Sequence, residues 1–331
     1  MQSARPQFDE DGTVHVPAFE LPPSEFSSVE AKAMQALRAR MPGGAPSADL
    51  DIAIVRQELE KMLAPQVEQM RRLYPVDIAE TQVGGVPARV VTPQGKPFDD
   101  RRVLINLHGG AFSVCAGACA VLESIPVAAL GNFKVVTVDY RMAPEWYHPA
   151  ALEDVEAVYR ALLENHEPQS IGVFGCSAGG ALTAQVAAWL PAHGLPNPGA
   201  IGIFGAGGVR MVSGDSAWIA AFIDGSFPPP GTAGDITRGY FTGIDMNGPD
   251  VSPALHPDVV ARFPPALIIT GTRAMDMSPA IVTNSALIKA GVESTLIVGE
   301  GMGHCYIYQS NLPEARDAHQ ATVDFFRKHL Q

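Results

Sequence analysis

Four short apolar runs, Val103 to Leu107, Val135 to Val138, Ile171 to Phe174 and Ala266 to Ile269, constrain this chain more than any other feature. Each is nearly continuous and ends in a polar or glycine-rich segment. Runs of that length and character predict strands buried on both faces of a sheet. Val86, Ala88, Val90 and Val91 predict a further strand, closed by a turn at Pro93-Gln94-Gly95, and Ser294 to Val298 another. Helical patterns lie between them: Val155, Val158, Tyr159 and Leu162 share one face at the i, i+3, i+4, i+7 spacing. Strand alternating with helix implies an α/β fold with a mainly parallel sheet covered on both sides. No internal repeat is present.

Two regions fit that alternation poorly. Ser27 to Tyr74 is patterned as helix, with Leu50, Ile54, Leu59 and Leu63 at helical spacing and breaks expected at Gly43, Gly44, Pro46 and Pro65. Ala206 to Pro249 carries Trp218, Phe222, Phe227 and a Pro228-Pro229-Pro230 run without strands of its own. The two read as pieces of an α-helical cap, the second alternatively as a long surface excursion. The domain expectation is therefore a cap segment at 1–75, a catalytic body at 76–205 and 250–331, and a second cap segment at 206–249.

The 331 residues are 47% hydrophobic and 18% charged, enough for a sizeable core. A net charge of -12 argues against nucleic acid or an anionic membrane as partner, since both carry negative fields. No apolar run is long enough to span a bilayer. The polar N-terminus, with Asp9, Glu10 and Asp11, lacks the apolar core of a signal peptide. With only four cysteines, Cys115, Cys119, Cys176 and Cys305, a cytoplasmic protein with reduced thiols is the expectation. No His or Cys cluster flanks Cys115 and Cys119, so no metal is expected.

Gly175-Cys176-Ser177-Ala178-Gly179 directly follows the Ile171–Phe174 run and opens a helix-favouring stretch. This is the G-x-S-x-G elbow in its strand-turn-helix context, and it nominates Ser177 as nucleophile. Cys176, the x before the serine, reads as a small packed residue. His108-Gly109-Gly110-Ala111-Phe112 follows the Val103–Leu107 run. Adjacent glycines let backbone N–H groups approach a developing oxyanion, so Gly109, Gly110 and Ala178 are the expected donors. His108 is expected to hold the loop rather than act as a base. The base is assigned to His304, on the glycine-rich segment Gly301-Met302-Gly303-His304.

Taken in order, His108-Gly109-Gly110-Ala111-Phe112, Asp139-Tyr140-Arg141-Met142-Ala143-Pro144-Glu145 and Gly175-Cys176-Ser177-Ala178-Gly179 resemble the hormone-sensitive-lipase-like branch of the α/β-hydrolases. The resemblance covers Val83 to the C-terminus, with the N-terminal helices similar to that branch's cap. It implies an eight-stranded, mostly parallel sheet flanked by helices, an α-helical cap, no cofactor, and hydrolysis of short- to medium-chain acyl esters. A homodimer is compatible with it. It also implies a structural role for Asp139-Tyr140-Arg141, bracing the loops beside the oxyanion hole. The branch's acid pattern resembles Gly-Thr-Arg-Asp, which would place a carboxylate at position 274, where this chain has Ala274 in Gly271-Thr272-Arg273-Ala274-Met275-Asp276. Asp276, two residues on, is the leading candidate. The alternatives are a replaced acid in a weakened enzyme and an acid from elsewhere.

Phe112, Trp218 and Phe222 are the candidates for the substrate pocket, the last two equally for cap core. The expected partner is a small-molecule ester. A non-catalytic binding protein of the kind seen in plant gibberellin receptors, which resemble this branch but have lost a triad member, stays open because of Ala274. So does an amidase or lactonase, since fold and triad do not fix the leaving group.

Overall fold

The computed structural model describes residues 5–38, 51–95, 97–117, 119–224, 229–231 and 235–331. Eight strands form one sheet: β1 (Val76–Val83), β2 (Val86–Pro93), β3 (Val103–Leu107), β4 (Lys134–Val138), β5 (Ile171–Cys176), β6 (Ala200–Phe204), β7 (Ala266–Gly271) and β8 (Ser294–Gly299). Their order is β8-β7-β6-β5-β3-β4-β2-β1. β2 runs antiparallel to β1 and β4, and the other pairs are parallel.

The alternation of side chains along a strand divides the core in two. In β3, Val103, Ile105 and Leu107 pack on one face with helices α4 (Ala150–Leu163), α5 (Ala178–Ala192) and α8 (Met277–Lys289). Leu104 packs on the other with α3 (Ser124–Gly131) and α9 (Pro313–His329). Asn106 shares Leu104's side of the strand, and Cys176 falls on that side too. This parity decides which groups lie beneath the site.

Preceding the sheet, α1 (Val29–Arg38) and α2 (Ile52–Leu73) occupy the stretch patterned as helix. Asp51 caps α2 by accepting from the Ala53 N–H at 2.8 Å. Pro65, expected as a break, lies inside α2. It sits on the exposed side, where water can satisfy the freed carbonyl, while Val67 and Met70 bury the helix beyond it. Leu50, Gly43, Gly44 and Pro46 fall outside the described residues. In the second expected cap segment the one helix among the described residues is α6 (Asp215–Ile223), followed by α7 (Pro257–Val260). No helix among the described residues is long and apolar enough to cross a membrane.

Candidate active site

The site lies at the C-terminal ends of β3, β5, β6 and β7. Ser177 is the hinge between β5 and α5 and holds φ 59°, ψ -124°, a conformation costly for a residue with a Cβ. The strain survives because the turn is fixed from both sides: the Ser177 N–H donates to Phe204 O and the Ala181 N–H to Ser177 O. Gly179 is required by close approach, since a Cβ there would lie 1.7 Å from Leu107 O.

His304 is brought to Ser177 from the loop after β8. The Ser177 hydroxyl donates to Nε2 at 2.9 Å, and Nδ1–H donates to Asp276 Oδ1 at 2.5 Å. The other Asp276 oxygen accepts from the Thr270 hydroxyl at 2.6 Å, and the carboxylate is fully buried. Position 276, and not 274, reaches His304 because the chain turns here rather than running extended. The Ala274 N–H bonds back to Gly271 O, and Asp276 stands at the start of α8, where its carbonyl accepts from Ala280. Ala274 itself is buried. The carboxylate whose absence favoured a binding protein is thus present.

On the opposite side of Ser177, the loop after β3 puts three residues with side chains, Ala111, Phe112 and Cys115, at φ 52°, 58° and 80°. The loop is held by named contacts. His108 Nδ1–H donates to Gly109 O at 2.6 Å, and its ring stacks on Tyr140 with centroids 4.2 Å apart. The Tyr140 hydroxyl donates to His108 O at 2.6 Å. Burial lowers the His108 pKa, which suits a neutral brace and not a base. Arg89 pairs with Asp139, and Arg141 with Asp154 at 2.8 Å. From α2, Arg56 donates to Ser113 O and Ala143 O, each at 2.8 Å, and pairs with Glu145 at 2.7 Å.

Of the expected donors, Ala178 is the first residue of α5 and follows Ser177 directly. Gly109 comes close to the nucleophile, since a Cβ there would lie 3.3 Å from Ser177 Cβ. Gly110, the next residue on the loop, holds φ 107°.

The pocket candidates change. Phe112 is 3% exposed: its left-handed backbone turns the ring inward, stacked 4.7 Å from Tyr240 and edge-on to Phe241. It is core, not pocket lining. Trp218 and Phe222 are 53% and 78% exposed. α6 buries its small residues Ser216, Ala217 and Ala220, which let it lie close to α8, and so turns its large ones outward. Neither a cap core nor an enclosed pocket holds them. Phe227 lies outside the described residues. Among the described residues, the 206–249 segment brings Met211 to the nucleophile, its sulfur 3.9 Å from Ser177 Oγ. No pattern in the sequence singled it out.

The expectation of reduced thiols is overturned. Cys115 is joined to Cys119 and Cys176 to Cys305, so the four cysteines form two disulfides. Parity explains the second, because Cys176 and Cys305 face the same layer of core. Their neighbours in sequence, Ser177 and His304, were the available signal. The thiol argument for a cytoplasmic location falls with it. Among the described residues, no group of three His, Cys, Asp or Glu is placed to hold a metal ion.

The family described as alpha/beta hydrolase fold matches residues 104–308, more than half of the chain. An acetyl-hydrolase of Streptomyces hygroscopicus is 29% identical over 257 residues, which span 74% of this chain and 81% of that protein. The crystal structure of esterase E25 superposes with a TM-score of 0.82 at 27% identity, covering 96% of this chain and 99% of the other. An esterase from the bacterial hormone-sensitive lipase family gives 0.77 at 26% identity, covering 91% and 97%. With a serine, a histidine and a buried carboxylate in hydrogen-bonded series at the sheet's edge, the chain belongs to the alpha/beta hydrolase fold family, as a carboxylic ester hydrolase of its hormone-sensitive-lipase-like branch.

Proposed function

We propose that this esterase cleaves short- to medium-chain acyl esters by two-step acyl transfer at Ser177. The observation that carries the reading is the continuous path from the Ser177 hydroxyl to His304 Nε2, and from Nδ1–H to the buried Asp276 carboxylate. His304 takes the serine proton as Oγ attacks the ester carbonyl. Asp276 fixes the imidazole tautomer and stabilises the imidazolium that forms. The oxyanion is received by the N–H groups of Gly109, Gly110 and Ala178. His304 then protonates the departing alcohol. Water, deprotonated by the same imidazole, releases the acid and restores Ser177.

Met211 gives the nucleophile an apolar, polarizable neighbour, a wall that yields to the acyl or alcohol group more readily than a branched side chain would. Residues 1–75 and 206–249 are the cap in this reading, with the second anchored through buried Tyr240, whose hydroxyl accepts from the Ala151 N–H at 2.8 Å.

Hydrolysis of a p-nitrophenyl ester series from C2 to C12 tests the reading. Activity is expected to peak within the short and medium chains and to fall ~10⁶-fold in Ser177→Ala. Activity surviving in that variant, or absent on every ester, would overturn it.

A further inference from the structure

Beneath the oxyanion loop lies a carboxyl group to which the mechanism above gives no task. Glu123 sits immediately before α3 and is 2% exposed, between buried Leu122 and Ile125. An acid in so apolar a setting needs a reason, because an ionised carboxylate loses its hydration on burial. Burial pushes its pKa up to about 8 against the pull of its hydrogen-bond donors. The titratable groups that face it are phenols: Tyr308 donates its hydroxyl to Oε1 at 2.6 Å, and Tyr140 lies close enough to feel its charge.

The partners come from separate parts of the chain. Asn106 Nδ2, on β3, donates to Oε2 at 2.8 Å. The N–H groups of Gly109 and Cys176 lie close enough to the carboxyl to hold its pKa down. Tyr308 ends the short turn that begins two residues after His304. One carboxyl group is therefore bonded to the strand that runs into the oxyanion loop and to the turn that follows His304, and lies beside the backbone of the elbow one residue before Ser177. The parity of β3 and β5 aims Asn106 and Cys176 into this layer of the core, so the convergence is built into the sheet.

We propose that Glu123 is a positioning residue for ester hydrolysis, a buried acceptor that ties the oxyanion loop, the nucleophile elbow and the histidine loop into one frame. The proposal rests on the reading of Ser177, His304 and Asp276 as the reacting set. These three segments are joined to different strands, and each reacting group must hold its place to within a fraction of an ångström. Ionised, as it is above a pH of about 8, the carboxyl offers two acceptor oxygens and can receive all the converging donors, so the assay is run above that pH. An amide at the same place offers one acceptor oxygen and turns an NH₂ against donors on the other side. A carboxyl that merely filled space would tolerate that exchange without a kinetic consequence.

The test compares Glu123→Gln and Tyr308→Phe with the parent enzyme and with Ser177→Ala, on p-nitrophenyl butyrate. Both kcat and KM are measured, with thermal midpoints alongside. Glu123→Gln is expected to lower kcat about 10²-fold while KM stays within about threefold, because misplaced groups slow the chemistry more than they weaken binding. Tyr308→Phe keeps the carboxyl and removes one donor. It is expected to lose roughly tenfold in kcat, by the same misplacement on a smaller scale, and it decides the matter if Glu123→Gln does not fold. With Ser177→Ala inactive, unchanged kcat in the variants, or a loss confined to KM or to the thermal midpoint, overturns the role of Glu123 alone. Activity persisting in Ser177→Ala removes the reading of the site and this proposal with it.

Discussion

The two sides of Ser177 are made of different material. The acid side is a relay of side chains: Thr270 holds Asp276, Asp276 holds His304, and His304 holds the nucleophile. The oxyanion side is a backbone loop, with three residues in left-handed conformations and its carbonyls and rings pinned by His108, Tyr140 and Arg56. A side chain reaches its target through rotatable bonds, so the position that supplies it can move along the chain. Here a carboxylate at 276 reaches the histidine that one at 274 was expected to reach. An amide has no such reach. Its direction is set by the dihedrals on either side, which a residue pattern does not carry.

The largest effect should come from cutting the relay. Asp276→Asn preserves shape but favours the wrong imidazole tautomer, and kcat is expected to fall about 10⁴-fold with the fold retained. Steady-state kinetics with circular dichroism as the check on folding decide it. A loss below about tenfold would mean that the geometry at Asp276 is not the one used in catalysis. On the backbone side, Gly110→Ala is the sharper probe, because a Cβ there would lie 2.2 Å from Val114 O at φ 107°. The loop must shift to admit it. Losing one oxyanion donor predicts a drop of about 10²–10³ in kcat. If kcat is unchanged, Gly110 is not among the donors.

The same contrast decides what was legible in the sequence. Strands β3, β4, β5 and β7 were visible because burial on both faces leaves an apolar run. β1 was not: in Val76-Asp77-Ile78-Ala79-Glu80-Thr81-Gln82-Val83 an edge strand shows mostly polar residues to solvent. β6 hid behind Gly202, kept small by Phe204 and Phe174, which a Cβ would meet at 2.7 and 3.0 Å. Ser177 and His304 were readable because a glycine-bounded elbow and a glycine-rich loop mark the turns that present them. Asp276 was readable only as a candidate, since the turn at Gly271–Ala274 is a tertiary fact. Phe112 was misread because backbone conformation, absent from a residue pattern, decides where its ring points. Glu123 carried a signal that went unused, a lone acid between Leu122 and Ile125.

The smallest effect expected separates the two sides once more, by acting from a distance. Arg56 lies on α2, outside the family match at 104–308, yet its guanidinium holds Ser113 O and Ala143 O while pairing with Glu145. That hydrogen bond keeps the Glu145 carboxyl below the usual range, so the pair is present above the ordinary carboxylate pKa and is lost as pH falls through the lowered one. The ion pair is largely solvent-facing and contributes little by itself. The two bonds to loop carbonyls matter more, because they hold the backbone-built site directly. Arg56→Ala is expected to reduce kcat/KM roughly tenfold, through misplaced oxyanion donors. In Arg56→Lys, which keeps the charge but loses the planar fork, most of that deficit should remain. The His304–Asp276 relay should be untouched, so the rate of Ser177 labelling by a planar, non-oxyanion-forming alkylating agent should stay at the parent value. Equal losses in labelling and turnover would show that Arg56 supports the whole site, and the division between its two sides would not hold.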